Sequence, residues 1–82
     1  MTRNKLVLIK WVDSYSVCES WNFIKEIAEP ANVECVSVGF VIKENTDNIL
    51  ILPHISGDNE AGRGGICIPK ISITQIKELN YE

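Results

Sequence analysis

The 82-residue chain is short of several things, and each shortage removes a class of explanation. No apolar run approaches the roughly 18 residues a membrane-spanning helix requires. The one apolar block near the start, Leu6 to Ile9, ends at Lys10. It is also shorter than the roughly 7 residues of a secretory signal core, so the chain is expected to be cytoplasmic and free of membranes. Cysteine is scarce: Cys18, Cys35 and Cys67 are odd in number and widely spaced, with no Cys-x-x-Cys. They are expected as reduced, small apolar side chains and not as a disulfide framework. A structural zinc site takes about four ligands; the scattered cysteines and the single histidine, His54, make no such set. No metal or other cofactor is expected. Positive charge is short too, with eight Lys and Arg against eleven Asp and Glu, a net charge of −3. Holding a nucleic-acid backbone takes a cluster of cations, and here the cations are dispersed. Nucleic acid is therefore not the expected partner, though a local spot such as Arg63 with Lys70 would suit a small anion.

What is present is a globular composition, 45% hydrophobic and 23% charged, in a length that makes one domain, residues 1–82. A domain this small has only just enough core, and such chains often gain stability by self-association. The second half carries the strongest pattern. Val36 to Leu79 reads as three apolar strands, VSVGFVIKE, NILILPHI and GICIPKISI, with a QIKEL tail as a last short turn or strand. Val33 to Glu44 is one strand, and Gly39 in its middle predicts a bend or a close backbone approach. The ENTDN segment is a hairpin turn, its Asn and Asp side chains suited to left-handed or side-chain-bonded turns. Asn48 to Ile55 follows, with pairing expected to fail at Pro53. Ser56 to Gly65 is a polar loop holding four of the five glycines.

In the first half, Lys5 to Val12 reads as a strand with Val7, Ile9 and Trp11 on its core side, because Lys10 spoils the other face. Ser16 to Glu29 reads as a helix. Ser16 and Glu19 fit a capping box, Val17, Trp21, Ile24 and Ala28 recur at helical spacing, and Pro30 stops the run. Strand, helix, then three or four short strands predicts a mainly β fold. The expected form is a bent five-stranded barrel of the SH3-like or Sm-like kind, with one short α-helix between the first and second strands. A two-layer α+β fold with an open sheet is the alternative.

KWVDS at Lys10 to Ser14, Trp21, SVGFVIKENTDNILILPHIS at Ser37 to Ser56 and IPKISITQIKEL at Ile68 to Leu79 cover most of the chain. On these features it resembles a family of small, mostly uncharacterised bacteriophage and prophage proteins. The resemblance implies a phage accessory protein acting in the host cytoplasm. The second half also resembles the Sm fold, though it lacks that family's basic and Asn-Gly RNA-binding signatures.

The residues that could carry function divide between packing and ligand contact. His54, past the strand at the mouth of the loop, is either a surface imidazole or a hydrogen-bonding group for a polar ligand. The loop, with Ser56, Asn59 and Arg63, is either a solvated turn or a flap; it lacks the Lys-Ser/Thr and following helix of a nucleotide-binding loop. Arg63 could hold phosphate or carboxylate through its planar fork. Trp11 and Trp21 are packing residues or, beside an Arg, a platform for a nucleobase. Asp13 could cap the helix or read a ligand edge. Lys70 could pair with an acid across the sheet or add charge to the Arg63 site.

No paired carboxylates, metal set or activated nucleophile is legible, so no enzymatic activity is expected. Three binding functions remain. The first is an oligomeric sponge that sequesters a nucleotide-derived host immune signal. The second is an SH3-like interaction module that inhibits or adapts a host protein. The third, limited by charge, is an Sm-like RNA-binding ring.

Overall fold

The computed structural model describes residues 4–81. Among the described residues seven strands run in chain order: β1 (Leu6–Asp13), β2 (Val33–Glu44), β3 (Asn48–Leu52), β4 (His54–Ile55), β5 (Gly62–Arg63), β6 (Ile66–Pro69) and β7 (Ile73–Leu79). Five form one antiparallel sheet in the order β6-β3-β2-β1-β7, and β4 with β5 forms a small separate ribbon. Single 3₁₀ turns occupy Ile24–Glu26 and Lys70–Ser72.

Alternation along the strands sets the core. Val7 and Ile9 of β1, Ile49 and Ile51 of β3, and Ile68 of β6 are buried; Trp11, Val41, Ile66 and Ile73 pack against them. The expected core side of β1 is the observed one. At Gly39 a neighbouring strand comes close to β2: a Cβ there would lie 3.0 Å from the Leu52 carbonyl oxygen and 3.1 Å from Ile51 Cβ. Near this point β2 exchanges neighbours, pairing with β1 up to Phe40 and with β3 from Phe40 onward. A register shift between Val41 and Lys43 accompanies the exchange, and such bulges bend a strand.

The sheet is curled, and chain geometry requires it. β6 and β7 are opposite edges, yet only the Lys70–Ser72 turn separates them. In a flat sheet those edges would lie about 19 Å apart, whereas three 3₁₀ residues advance only about 6 Å. Among the described residues no ladder joins β6 to β7, so the expected closed barrel is not formed and both edges remain open.

The expected helix is also not formed. Residues 14–32 run as an irregular arm whose only regular element is the Ile24–Glu26 turn, and Cys18 adopts φ 57°, outside any right-handed helix. The β1–β2 ladder ends at Asp13 and Val33, so no sheet lies beneath the apolar stripe. A 14-residue helix without such support lies within the roughly 12–15 residues at which isolated helices are marginal. The arm makes the molecule long, 58 × 24 × 22 Å.

The predicted turns are found. Asn45 Oδ1 accepts from the backbone N–H groups of Asp47 (3.0 Å) and Asn48 (2.8 Å). Lys70 then clips the β6–β7 corner to this turn. Its backbone N–H donates to the Asp47 carbonyl at 2.8 Å, and its Nζ lies 2.9 Å from Glu44 Oε2. The hydrogen bond from Lys70, and next its charge, hold the Glu44 carboxyl below its ordinary value. A carboxyl depressed in this way stabilises the fold above its unfolded-state pKa, and the effect fades as pH falls through the folded-state value. Lys70→Met should therefore lower the thermal midpoint slightly at neutral pH and leave it unchanged in strong acid. An equal drop at both pH values would mean that the ion pair is not the cause.

Candidate functional site

Pro53 cannot donate to a ladder, and β3 ends just before it. The chain continues as the β4–β5 hairpin before β6 resumes pairing with β3. In that hairpin His54 is the direct cross-strand partner of Arg63, and Ile55 of Gly62. Directly opposed residues send their side chains to one face, so His54 and Arg63 share a face of the ribbon. With Ile55, Ser56, Ala61 and Gly62 they line a shallow, largely apolar cleft of about 290 Å³. Among the described residues neither the His54 nor the Arg63 side chain is engaged in a hydrogen bond or ion pair.

The loop closing the hairpin is tied by its own side chains. The Ser56 N–H donates to the Ala61 carbonyl at 2.7 Å, and Ser56 Oγ accepts from the Ala61 N–H at 3.0 Å. The same hydroxyl donates to Asp58, whose Oδ1 also accepts from the Glu60 N–H at 3.0 Å. The Ser56 hydroxyl first, and then the Glu60 amide, hold the Asp58 carboxyl below its ordinary value. Asn59 takes the left-handed conformation, φ 62°, with its N–H on the Ser56 carbonyl at 2.8 Å. Asn tolerates this conformation better than most residues. Ser56 and Asn59 thus shape the turn, whereas the His54 and Arg63 side chains take no part in it. An unpaired guanidinium beside an imidazole is suited to a phosphate or carboxylate oxygen.

The other candidates lie elsewhere. Trp11 packs against the core, its indole N–H donating to Ser37 Oγ at 3.0 Å, so it is part of the fold. Asp13 ends β1 and accepts from the Ser14 N–H at 2.8 Å; there is no helix for it to cap. Lys70 is engaged with Glu44 beside the β2–β3 turn, at the other end of β2 from the arm. Trp21 is on the arm, 102% exposed, and does not line the His54–Arg63 cleft. Cys18 and Cys67 are exposed and Cys35 is half-buried; all three are free thiols. Among the described residues no group of three or more His, Cys, Asp and Glu side chains could hold a metal ion, and no helix is long and apolar enough to cross a membrane.

The sequence reading missed a second feature. Tyr15, Val17, Phe23, Ile24 and Ile27 are exposed along with Trp21, and the arm encloses an apolar-walled cleft of about 760 Å³. Of these, Val17, Trp21, Ile24 and Ile27 are the side chains that the helical spacing places on an inward stripe. The available signal was the brevity of that helix. The chain matches no protein-family model, no curated protein and no solved structure.

Proposed function

We propose that this is a non-enzymatic phage accessory protein that works as an oligomer and sequesters a small anionic, nucleotide-derived molecule of host immune signalling at the β4–β5 hairpin. The observation that carries the reading is the free Arg63 beside the free His54, held opposite each other by the β4–β5 pairing. The resemblance to phage proteins supplies the biological setting. A cleft of about 290 Å³ is at the lower limit for a drug-sized ligand. One copy would therefore grip only the phosphate end, and a neighbouring copy would complete the site. We read the sheet as an unclosed relative of the SH3-like and Sm-like barrels: β1 lies between β2 and β7, and a 3₁₀ turn links the two edge strands.

Native mass spectrometry of the protein, alone and after incubation with a nucleotide extract from phage-challenged bacteria, tests the reading. A discrete small mass should be gained per site, and Arg63→Ala should weaken its capture about 10- to 100-fold, as loss of a hydrogen bond to a charged group does. No mass gain from any such extract would overturn the reading. Binding should also survive added salt far better than contact with a polyphosphate backbone would; a steep salt slope would favour the RNA-binding alternative. The apolar arm favours a second reading, an interaction module that docks on a host protein.

A further inference from the structure

The arm presents a physical problem that the His54–Arg63 site does not touch. Among the described residues none of positions 14–32 is buried, and every hydrogen bond within the arm joins residues no more than three apart. Yet the segment carries Trp21, Phe23 and Ile24 at 102%, 74% and 86% exposure. Structureless connections longer than roughly 12–15 residues are uncommon and are usually either functional loops or linker segments; the density of large apolar side chains here fits the former.

The surface area says how much is missing. A compact monomer of 9.2 kDa exposes about 4,900 Å². This chain exposes 6771 Å², about 1,800 Å² more than that scaling gives. The radius of gyration, 16.8 Å, likewise exceeds the roughly 12 Å of a compact domain of this length. An excess of that size is what each partner contributes to an obligate homodimer interface, about 1,000–2,500 Å² per copy.

We propose that the arm is the self-association element of this protein, pairing with the arm of a second copy. It carries both halves of a self-complementary contact. Trp21, Phe23 and Ile24 project, and none of them lines the 760 Å³ cleft, whose walls are mainly apolar (Tyr15, Val17, Ile27 and Ala28 among them) with Asn22 and Glu26 at its polar side. A two-fold axis lets each copy's projecting side chains enter the other's cleft, so one patch is used twice. Large aromatic side chains buried this way carry most of an interface's energy. Each arm bears Glu19, Glu26 and Glu29 against Lys25, so two facing arms repel and added salt should strengthen the association. This inference rests on the oligomeric part of the proposed function and names its interface.

Sedimentation velocity on the full chain tests it, with native mass spectrometry on the same samples to read ligand capture separately. The wild type should be a dimer or a multiple of one, tighter at higher salt. Trp21→Glu and, independently, Phe23→Glu should each weaken association about 10³-fold, because each change enters the interface twice. Their far-UV circular dichroism should match the wild type, since neither residue touches the core. A wild type that is monomeric overturns the inference; if that monomer still gains ligand mass, the sequestering function survives without it. An oligomer that both variants leave intact also overturns it and moves the contact to the open sheet edges. A monomer whose arm retains a different protein overturns it in favour of the interaction-module reading.

Discussion

Ile51→Ala should leave the protein largely unfolded at physiological temperature. Ile51 is 1% exposed, one of five buried side chains among the described residues, and packs beneath Gly39 at the point where β2 changes partners. Truncating a buried isoleucine costs about 2–5 kcal/mol in lost transfer energy and residual cavity. A core this small rarely supplies more than about 3–5 kcal/mol in total. The change is therefore as large as the stability it draws on. Urea unfolding at fixed protein concentration should show the midpoint falling close to zero. Ile71→Ala is the control: the same side chain is 96% exposed there, and its removal should shift stability by no more than about 0.5 kcal/mol. Equal shifts for the two variants would contradict the assignment of the core.

Gly62→Ala should disrupt the His54–Arg63 cleft while sparing the sheet. A Cβ on Gly62 would lie 2.5 Å from Leu52 Cδ1 and 2.9 Å from the His54 carbonyl oxygen. The leucine can move, but the carbonyl belongs to the opposing strand, so relief means separating β4 from β5. With two residues per strand the hairpin has little to resist this, since two-stranded ribbons are marginal by themselves. Amide exchange should accelerate at His54, Ile55 and Arg63 and stay slow in β1, β2 and β3. Ligand capture should fall as far as in Arg63→Ala. Gly57→Ala, where a Cβ meets nothing within 4 Å, should change neither property. Unchanged exchange in the Gly62 variant would mean that the close approach does not hold the hairpin together.

Patterns confined to one strand or one turn were legible in the sequence. Val33–Glu44 was readable from its apolar alternation, the break at Pro53 from proline's missing N–H, and the Asn45 turn from its side-chain chemistry. The candidate site was half legible. His54 stood out as the only histidine and Arg63 as the cation of the polar loop, but nothing local said that they would face each other across a ribbon. Trp11 and Trp21 looked alike along the chain, and only their surroundings separate them: one is bonded to Ser37 and packed on the core, the other is wholly in solvent.

The sequence by itself determined the β character of this protein, its turns and the inward face of β1, because period-two alternation and turn residues act within a few positions of the chain. Only the tertiary structure decided the rest. Whether Ser16 to Glu29 becomes a helix depends on a sheet being beneath it, and the β1–β2 ladder stops at Asp13 and Val33, leaving none. Whether the sheet closes depends on β6 meeting β7, two edges that the Lys70–Ser72 turn brings near without a ladder between them. Both outcomes turn on contacts between distant segments, and a local pattern does not encode the partner it will find.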